Sequence, residues 1–300
     1  MIREVTGIET IRMLYLQLLY RCNFNCTFCF HGERLSHNDS FSADEATALL
    51  RLMHETYGSE AVTLLGGEPF VYRELPQVVR HAKHDLGMQV EICTNGYRIE
   101  RRLAEIAGDV DFLRISLEGI GHTNDTLRKR GSFAAALQSM EAARSLGVAT
   151  GSTMTVNRQN IDEVIPLAKL LEDSGARQLK LHCLRPIGNA ADHPELTITD
   201  TAAYARLREQ LADAALCIDV VVDEDLSGEG SQVTCAPVQN EKSVERIESD
   251  PRGALTLSCK AVGKDAHAFW YDKKNGHIEY RPTGTDEIAL AIPDVVYSHV

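Results

Sequence analysis

Short apolar runs alternate with longer amphipathic stretches through the first two-thirds of this 300-residue chain. The apolar runs predict strands at Met13–Tyr20, Ala61–Leu65, Val90–Thr94, Phe112–Leu117, Ala149–Val156 and Gln178–Leu184. Between them, apolar positions recur every three or four residues and predict helices at Ala43–Tyr57, Leu75–Leu86, Arg101–Ala107, Phe133–Leu146 and Ile161–Ser174. Ser42 and Ser132 stand where helix N-caps are expected, and Gly147 and Gly175 where helices end. Six β–α units in a row imply an α/β fold with a parallel sheet and right-handed crossovers. A helix at Thr201–Ala214 and a strand at Ile218–Val222 follow. Residues 223–250, rich in acidic residues, serine and glycine, read as an irregular connection. Short strands at Ala254–Leu257, His267–Tyr271 and His277–Tyr280 come last, with Asn275-Gly276 as the turn between the final two. The division expected is a main α/β unit over 1–198 and a small α+β cap over 199–300.

Composition narrows the classes. Hydrophobic residues make up 44% of the chain, enough for a large core. The net charge of −12 disfavours nonspecific nucleic-acid binding and anionic membrane surfaces. No apolar run reaches the ~18–20 residues of a membrane span, and the start MIREVTGIET lacks a signal-peptide plan. A soluble, cytoplasmic protein without nucleic-acid or membrane partners is expected. The eight cysteines (22, 26, 29, 93, 183, 217, 235, 259) are three clustered and five scattered, which is not a secreted disulfide framework.

The clustered three carry the chemistry. Cys22, Cys26 and Cys29 are spaced C-x3-C-x2-C in CNFNCTFCFH, in the loop that leaves the first predicted strand. Three thiolates can hold three irons of a 4Fe–4S cluster and leave the fourth open to a small molecule. Cys22, Cys26, Cys29 and His31 also make a Cys3His set suited to zinc. Gly66-Gly67-Glu68-Pro69 follows the second strand; its glycines permit close backbone approach to a ligand, and Glu68 offers an acceptor to an ammonium.

These motifs resemble the radical SAM superfamily, whose cluster motif is C-x3-C-x-Φ-C, with Phe28 in the aromatic slot, and whose second strand ends in GGEP. The resemblance covers roughly residues 10–190 and implies a partial (β/α)6 TIM-like barrel. It also implies one 4Fe–4S cluster on Cys22, Cys26 and Cys29, and S-adenosylmethionine (SAM) chelating the fourth iron. Reductive cleavage of SAM to a 5′-deoxyadenosyl radical would begin catalysis by hydrogen abstraction. By the same resemblance, Phe28, Gly66, Gly67, Glu68, Pro69, Asn95, Ser116, Glu118 and Arg130 are candidate SAM contacts. Arg130 lies in a segment like the RG-x-F of peptide- and natural-product-modifying members, where an arginine pairs with the SAM carboxylate. Asn95-Gly96 also reads as plain turn chemistry, and Arg128–Arg130 as a solvated basic face.

Strand five carries Thr153, Thr155 and Asn157; strand six carries Lys180, His182 and Arg185, the candidate substrate and catalytic residues. Alternation puts Lys180 and His182 on one face. Facing inward they would meet an anionic substrate group; facing outward, a helix or solvent. Cys93, Cys183 and Cys217 read as small buried hydrophobes.

Many relatives end in a SPASM or twitch domain that binds auxiliary clusters. Here Cys259-Lys260-Ala261-Val262-Gly263 and the later hairpin resemble its start, but Tyr280 and Arg281 stand near the position of its second cysteine. A degenerate twitch-like cap without a second cluster is expected, with a site on Cys183, Cys217, Cys235 and Cys259 as the alternative. Peptide-modifying relatives carry a small winged helix before the first strand, and none is evident here, which points to a small-molecule substrate. The expected activity is on a sugar, nucleoside or sugar acid, by decarboxylation or elimination. It resembles that of the cytosylglucuronate decarboxylases of nucleoside-antibiotic pathways. A peptide-modifying enzyme and a non-catalytic iron–sulfur or zinc module are the alternatives. A flavodoxin- or ferredoxin-type electron donor is the partner the family implies.

Overall fold

The computed structural model describes residues 1–200, 202–222, 242–257 and 267–283, and the backbone of 298–299. Its strands are β1 (Thr10–Gln17), β2 (Ala61–Leu65), β3 (Gln89–Thr94), β4 (Phe112–Ser116), β5 (Ala149–Val156), β6 (Gln178–Cys183), β7 (Asp219–Val222), β8 (Ser243–Ser249), β9 (Ala254–Thr256), β10 (His267–Asp272), β11 (His277–Thr283) and β12 (Ser298–His299). They form one sheet in the order β11-β10-β9-β8-β1-β2-β3-β4-β5-β6-β7-β12. The run from β8 through β7 is parallel throughout, and β9, β10, β11 and β12 add antiparallel pairs at the two ends. This is the α/β parallel sheet that the strand count predicts and the partial barrel that the family resemblance implies.

Alternation along the strands divides the two faces. Leu14, Leu16, Val62, Leu64, Val90, Ile92, Leu113, Ile115, Met154, Leu179 and Leu181 point one way into a shared apolar core and are essentially fully buried. The helix Ala43–Tyr57 covers part of that core with Ala46, Leu49, Leu50, Met53 and Tyr57, spaced by three and four. It begins in a capping box: Ser42 accepts from Glu45 N–H while Glu45 accepts from Ser42 N–H. The other strand face is the inside of the barrel. There the side chains are polar or charged: Glu91, Cys93, Arg114, Ser116, Thr153, Thr155, Lys180 and His182 all line one cavity.

The structure departs from the pattern in four places. The first strand starts at Thr10 and ends at Gln17, about three residues earlier than predicted. Beyond Gln17 the chain bends away, with Leu18 N–H donating to Leu65 O and Tyr20 N–H to Asp39 O. The helix predicted at Leu75–Leu86 is α-helical over Leu75–Arg80 and widens to a π turn at His81–Asp85. Ser132 is not an N-cap. Gly131 takes that place with φ 79°, and the Asp125 carboxylate accepts from Gly131 N–H and Phe133 N–H.

The largest departure is Ser243–Ser249, within the predicted irregular connection; residues 223–241 lie outside the described residues. It is a strand paired in parallel with β1, from Thr10–Ser243 to Leu16–Ser249. Its charged residues Glu245, Arg246 and Glu248 read as loop, but Arg246 and Glu248 face the barrel cavity. The predicted hairpin is present, with Gly276 at φ 68° in its turn. Cys235 and Cys259 lie outside the described residues, as does the Lys260–Gly263 segment.

Candidate active site

Gly66 and Gly67 shape the site through backbone contact. A Cβ on Gly67 would lie 2.2 Å from Tyr20 O and 2.3 Å from Arg21 O; one on Gly66 would lie 2.6 Å from Leu19 O. The loop after β2 is thus pressed against the segment that delivers Cys22. Gly67 N–H donates to Leu19 O (2.7 Å) and Glu68 N–H to Arg21 O (3.1 Å). The close approach that these glycines allow is to the cysteine loop, and both also line the barrel cavity. Pro69 is buried at the start of a 3₁₀ turn, where its missing N–H costs nothing. The Glu68 carboxylate is fully engaged by the protein: it accepts from Phe70 N–H (3.0 Å), Thr94 Oγ1 (2.7 Å) and Asn95 N–H (2.8 Å). It ties the loop after β2 to the loop after β3, and its burial pushes its pKa up against those donors.

Asn95 completes the tie. Its Nδ2 donates to Asn23 Oδ1 inside the cysteine loop (2.7 Å), and its Oδ1 accepts from Tyr97 N–H (2.9 Å). It is both a turn residue and a brace for the loop. Thr27 N–H donates to Leu127 O on the far side (3.1 Å).

The three thiols open on the same cavity, of about 340 Å³. Burial pushes Cys22 and Cys26 up to about 12, and raises Cys29 as well, so unligated they are thiols near neutral pH. His31 is spent elsewhere. Its Nε2 lies 3.3 Å from Gly66 O, its ring packs on Phe30 and Tyr20, and burial lowers its pKa to about 4.

Across from the thiols, Arg128 donates from Nη2 to Glu118 Oε1 (2.6 Å), and its guanidinium stands 5.3 Å from the Phe28 ring centre. The other Glu118 oxygen accepts from Thr155 N–H (2.7 Å). Burial pushes Glu118 up and Arg128 pulls it back. Two buried cavity-lining atoms have no partner among the described residues, Arg128 Nε and Thr153 Oγ1. The cavity-lining arginine of this segment is Arg128. Arg130 is exposed and does not line the cavity, which corrects the expectation for that residue. The helix turn that ends at Arg128 aims it inward, three residues before Gly131 caps the next helix.

Residues 16–171 match the Radical SAM superfamily. This chain belongs to the radical SAM superfamily. It is 32% identical over 280 residues to the Fe-coproporphyrin III synthase of Methanosarcina barkeri, a match covering 87% of this chain and 70% of that protein. It is 29% identical over 225 residues to a probable GTP 3',8-cyclase of Halobacterium salinarum, covering 71% of this chain and 58% of that one. Among solved structures, Streptococcus suis SuiB bound to S-adenosylmethionine superposes with a TM-score of 0.72 at 15% identity, over 88% of this chain and 64% of SuiB. The chain therefore spans between about three-fifths and seven-tenths of these proteins.

The radical SAM superfamily binds a 4Fe–4S cluster and S-adenosylmethionine, and the residues present suit both. Soft thiols buried beside one another need a metal to become thiolates. A single tetrahedral zinc would bring its sulfurs to about 3.8 Å of each other. The thiols are not gathered that tightly. Among the described residues, the only group of three Cys, His, Asp or Glu residues whose ligand atoms all lie within 4.8 Å of one another is Asp272, His277 and Glu279 on the surface hairpin. With His31 committed to Gly66 O, the Cys3His zinc set is not assembled. A polar ligand is suited by the orphaned Arg128 Nε and Thr153 Oγ1, and by Ser116, which lines the same cavity.

The far wall of the radical SAM cavity holds Lys180, His182 and Arg185, so the inward-facing alternative for strand six is the one observed. Asn157 is instead buried in its own turn, accepting from Gln159 N–H and donating to Thr155 O. Cys93 and Cys183 also line the cavity, although the sequence reads them as buried hydrophobes; Cys217 is exposed. Residues missed by the sequence come from β1, β3, β4 and β8. Arg114 donates to Glu91 Oε1 (2.7 Å) and Gln178 Oε1 (2.8 Å). Arg246 lies over the Tyr15 ring at 4.8 Å, and Glu248 accepts from Gln17 Nε2 (2.5 Å). The two apolar residues of β8, Val244 and Ile247, stand three apart on opposite faces of the strand, so they give no alternation that marks it.

Proposed function

We propose that this radical SAM enzyme acts on a small anionic molecule of the sugar, nucleoside or sugar-acid class, by decarboxylation or elimination. One observation carries the reading. Lys180 on β6, Arg185 just after it and Arg246 on β8 line the same cavity as the three thiols. Such a cationic wall suits a carboxylate or phosphate. A cavity of this size suits a small molecule better than a folded partner.

In this reading Cys22, Cys26 and Cys29 hold the cluster. Gly66–Pro69, Asn95, Ser116, Glu118 and Arg128 frame the SAM pocket, and Phe28 forms its aromatic wall. Bound, the two cofactors supply a one-electron cleavage whose carbon radical takes a hydrogen atom from an unactivated C–H bond. The chain's own residues bind and orient. Arg246 and Arg185 neutralise the substrate anion, Lys180 and His182 flank it, and Thr153 Oγ1 and Glu248 meet its hydroxyl groups. Phe24, Phe28, Phe30 and Leu65 line the cavity with apolar surface that excludes water. A flavodoxin- or ferredoxin-type protein supplies the electron. The C-terminal segment acts as a twitch-like cap without a second cluster, and a redox-neutral outcome needs none.

The test is anaerobic reconstitution with iron, sulfide and SAM, followed by incubation with nucleosides of uronic acids. The expected result is about four irons per chain, 5′-deoxyadenosine from SAM plus reductant, and CO2 from a uronic-acid nucleoside. SAM cleavage with no CO2 from any of these would sink the decarboxylase reading. About eight irons would sink the single-cluster reading.

A further inference from the structure

The segment that follows β6 does more than end a strand. It folds back over the cysteine loop at backbone-to-backbone distance. A Cβ on Gly188 would lie 2.4 Å from Cys29 O and 2.5 Å from Phe30 O, and Gly188 sits at φ 59°. A Cβ on Gly32, just past the loop, would lie 2.8 Å from Gly188 Cα. Only glycine permits this contact from either side.

Asn189 then spends its donors on the loop. Its backbone N–H donates to Cys29 O (2.8 Å), and its Nδ2 donates to Cys26 O (2.8 Å) and to Asn25 Oδ1 (2.8 Å). A carbonyl accepts only, so the amide nitrogen must be the atom that faces Cys26. Among the described residues the other partners of Cys26 O and Cys29 O are local, Cys29 N–H (3.2 Å) and Gly32 N–H (3.3 Å). Among the described residues Asn189 is therefore the one outside group that fixes the two carbonyls of this pair. The remaining braces act elsewhere, at Asn23 through Asn95 and at Thr27 through Leu127.

We infer that Asn189 is a positioning residue for the cluster. It holds Cys26 and Cys29 at the spacing the irons require, and it does so from the turn that follows the strand carrying Lys180 and His182. The inference rests on the cluster assignment and is independent of the substrate class. Asn189 touches neither the irons nor SAM in this role; it acts through the loop.

Two variants and a control decide it. Asn189→Ala removes both side-chain donors and keeps the backbone one. Asn189→Ser returns one short donor. Ser59→Ala removes a buried hydrogen bond (Ser59 Oγ to Ile11 O, 2.6 Å) remote from the loop. Hydrogen–deuterium exchange of the metal-free proteins reads the loop directly. Losing two hydrogen bonds should speed exchange over residues 23–30 by roughly ten-fold in Asn189→Ala, with Asn189→Ser between it and wild type. After reconstitution, Asn189→Ala should lose iron on gel filtration faster than wild type. The electron paramagnetic resonance signal of its reduced cluster should broaden, and the change on adding SAM should be smaller. Ser59→Ala should match wild type in all three. Exchange and resonance spectra of Asn189→Ala indistinguishable from wild type would overturn the inference, as would equal changes in Ser59→Ala. A wild-type chain that assembles no cluster would defeat the cofactor assignment, while the exchange experiment would still report on Asn189.

Discussion

One glycine and two arginines show how single positions fix this site. Adding one methyl group at Gly67 places a carbon 2.2 Å from Tyr20 O, a contact that backbone cannot absorb cheaply. Gly67→Ala is expected to cost about 1–3 kcal/mol in urea unfolding of the metal-free protein. It should also lower the iron bound per chain, because Tyr20 and Arg21 lead directly into Cys22. Arg128 and Arg130 give an opposite pair. Arg128→Gln strands the fully buried Glu118 carboxylate and is expected to cost about 3–5 kcal/mol, with a loss of SAM affinity by calorimetry. Arg130→Gln should fall within about 0.5 kcal/mol of wild type and leave SAM affinity unchanged. The sequence marked this basic segment but could not choose within it. The choice depends on where a short helix ends, and the Asp125 carboxylate that caps the next helix sets that.

At the level of elements, the strands that were legible are those that alternate cleanly between the apolar core and the cavity. β2 and β5 have their predicted limits, and β3, β4 and β6 differ by a single residue at one end. β8 was not legible because its inward face is charged: Arg246 and Glu248 look like loop residues until β1 is placed beside them. Glu248 makes that strand testable through pH. Burial raises its pKa above the ordinary 4.5, against the pull of Arg246. A raised folded-state pKa means the native protein binds the proton more tightly. Its stabilisation is present in full below the unfolded value and is lost as pH rises through the folded one. Glu248→Gln carries no such titration. Urea midpoints measured from pH 4 to 8 should show any wild-type advantage over Glu248→Gln to be greatest in acid and to shrink towards neutrality. A difference constant with pH would refute it.

For the whole molecule, the C-terminal strands and the cysteine loop are one structure. Tyr20 Oη donates to Asp250 Oδ2 (2.8 Å), Arg252 pairs with the same carboxylate, and Lys273 donates to Ser40 O (2.8 Å). A chain ending at residue 200 would keep the six β–α units legible in the sequence yet expose the β1 edge and lose these ties. Such a truncation is expected to aggregate, and any soluble fraction to hold less iron than the full chain, as gel filtration and iron analysis would show. The repeated units could be read because each is local; the closure of β8 on β1 joins residues 233 apart and leaves no local pattern.

That separation also has a clock. At roughly 5–20 residues per second, a ribosome needs roughly 12–47 s to pass from Thr10 to its partner Ser243. Throughout that interval the nascent first strand has one open edge, and three reactive sulfurs hang in the loop beyond it. The site can be finished only once β8 has been made, so iron delivery belongs after that point, and the growing chain is a natural client for a chaperone that covers a bare strand.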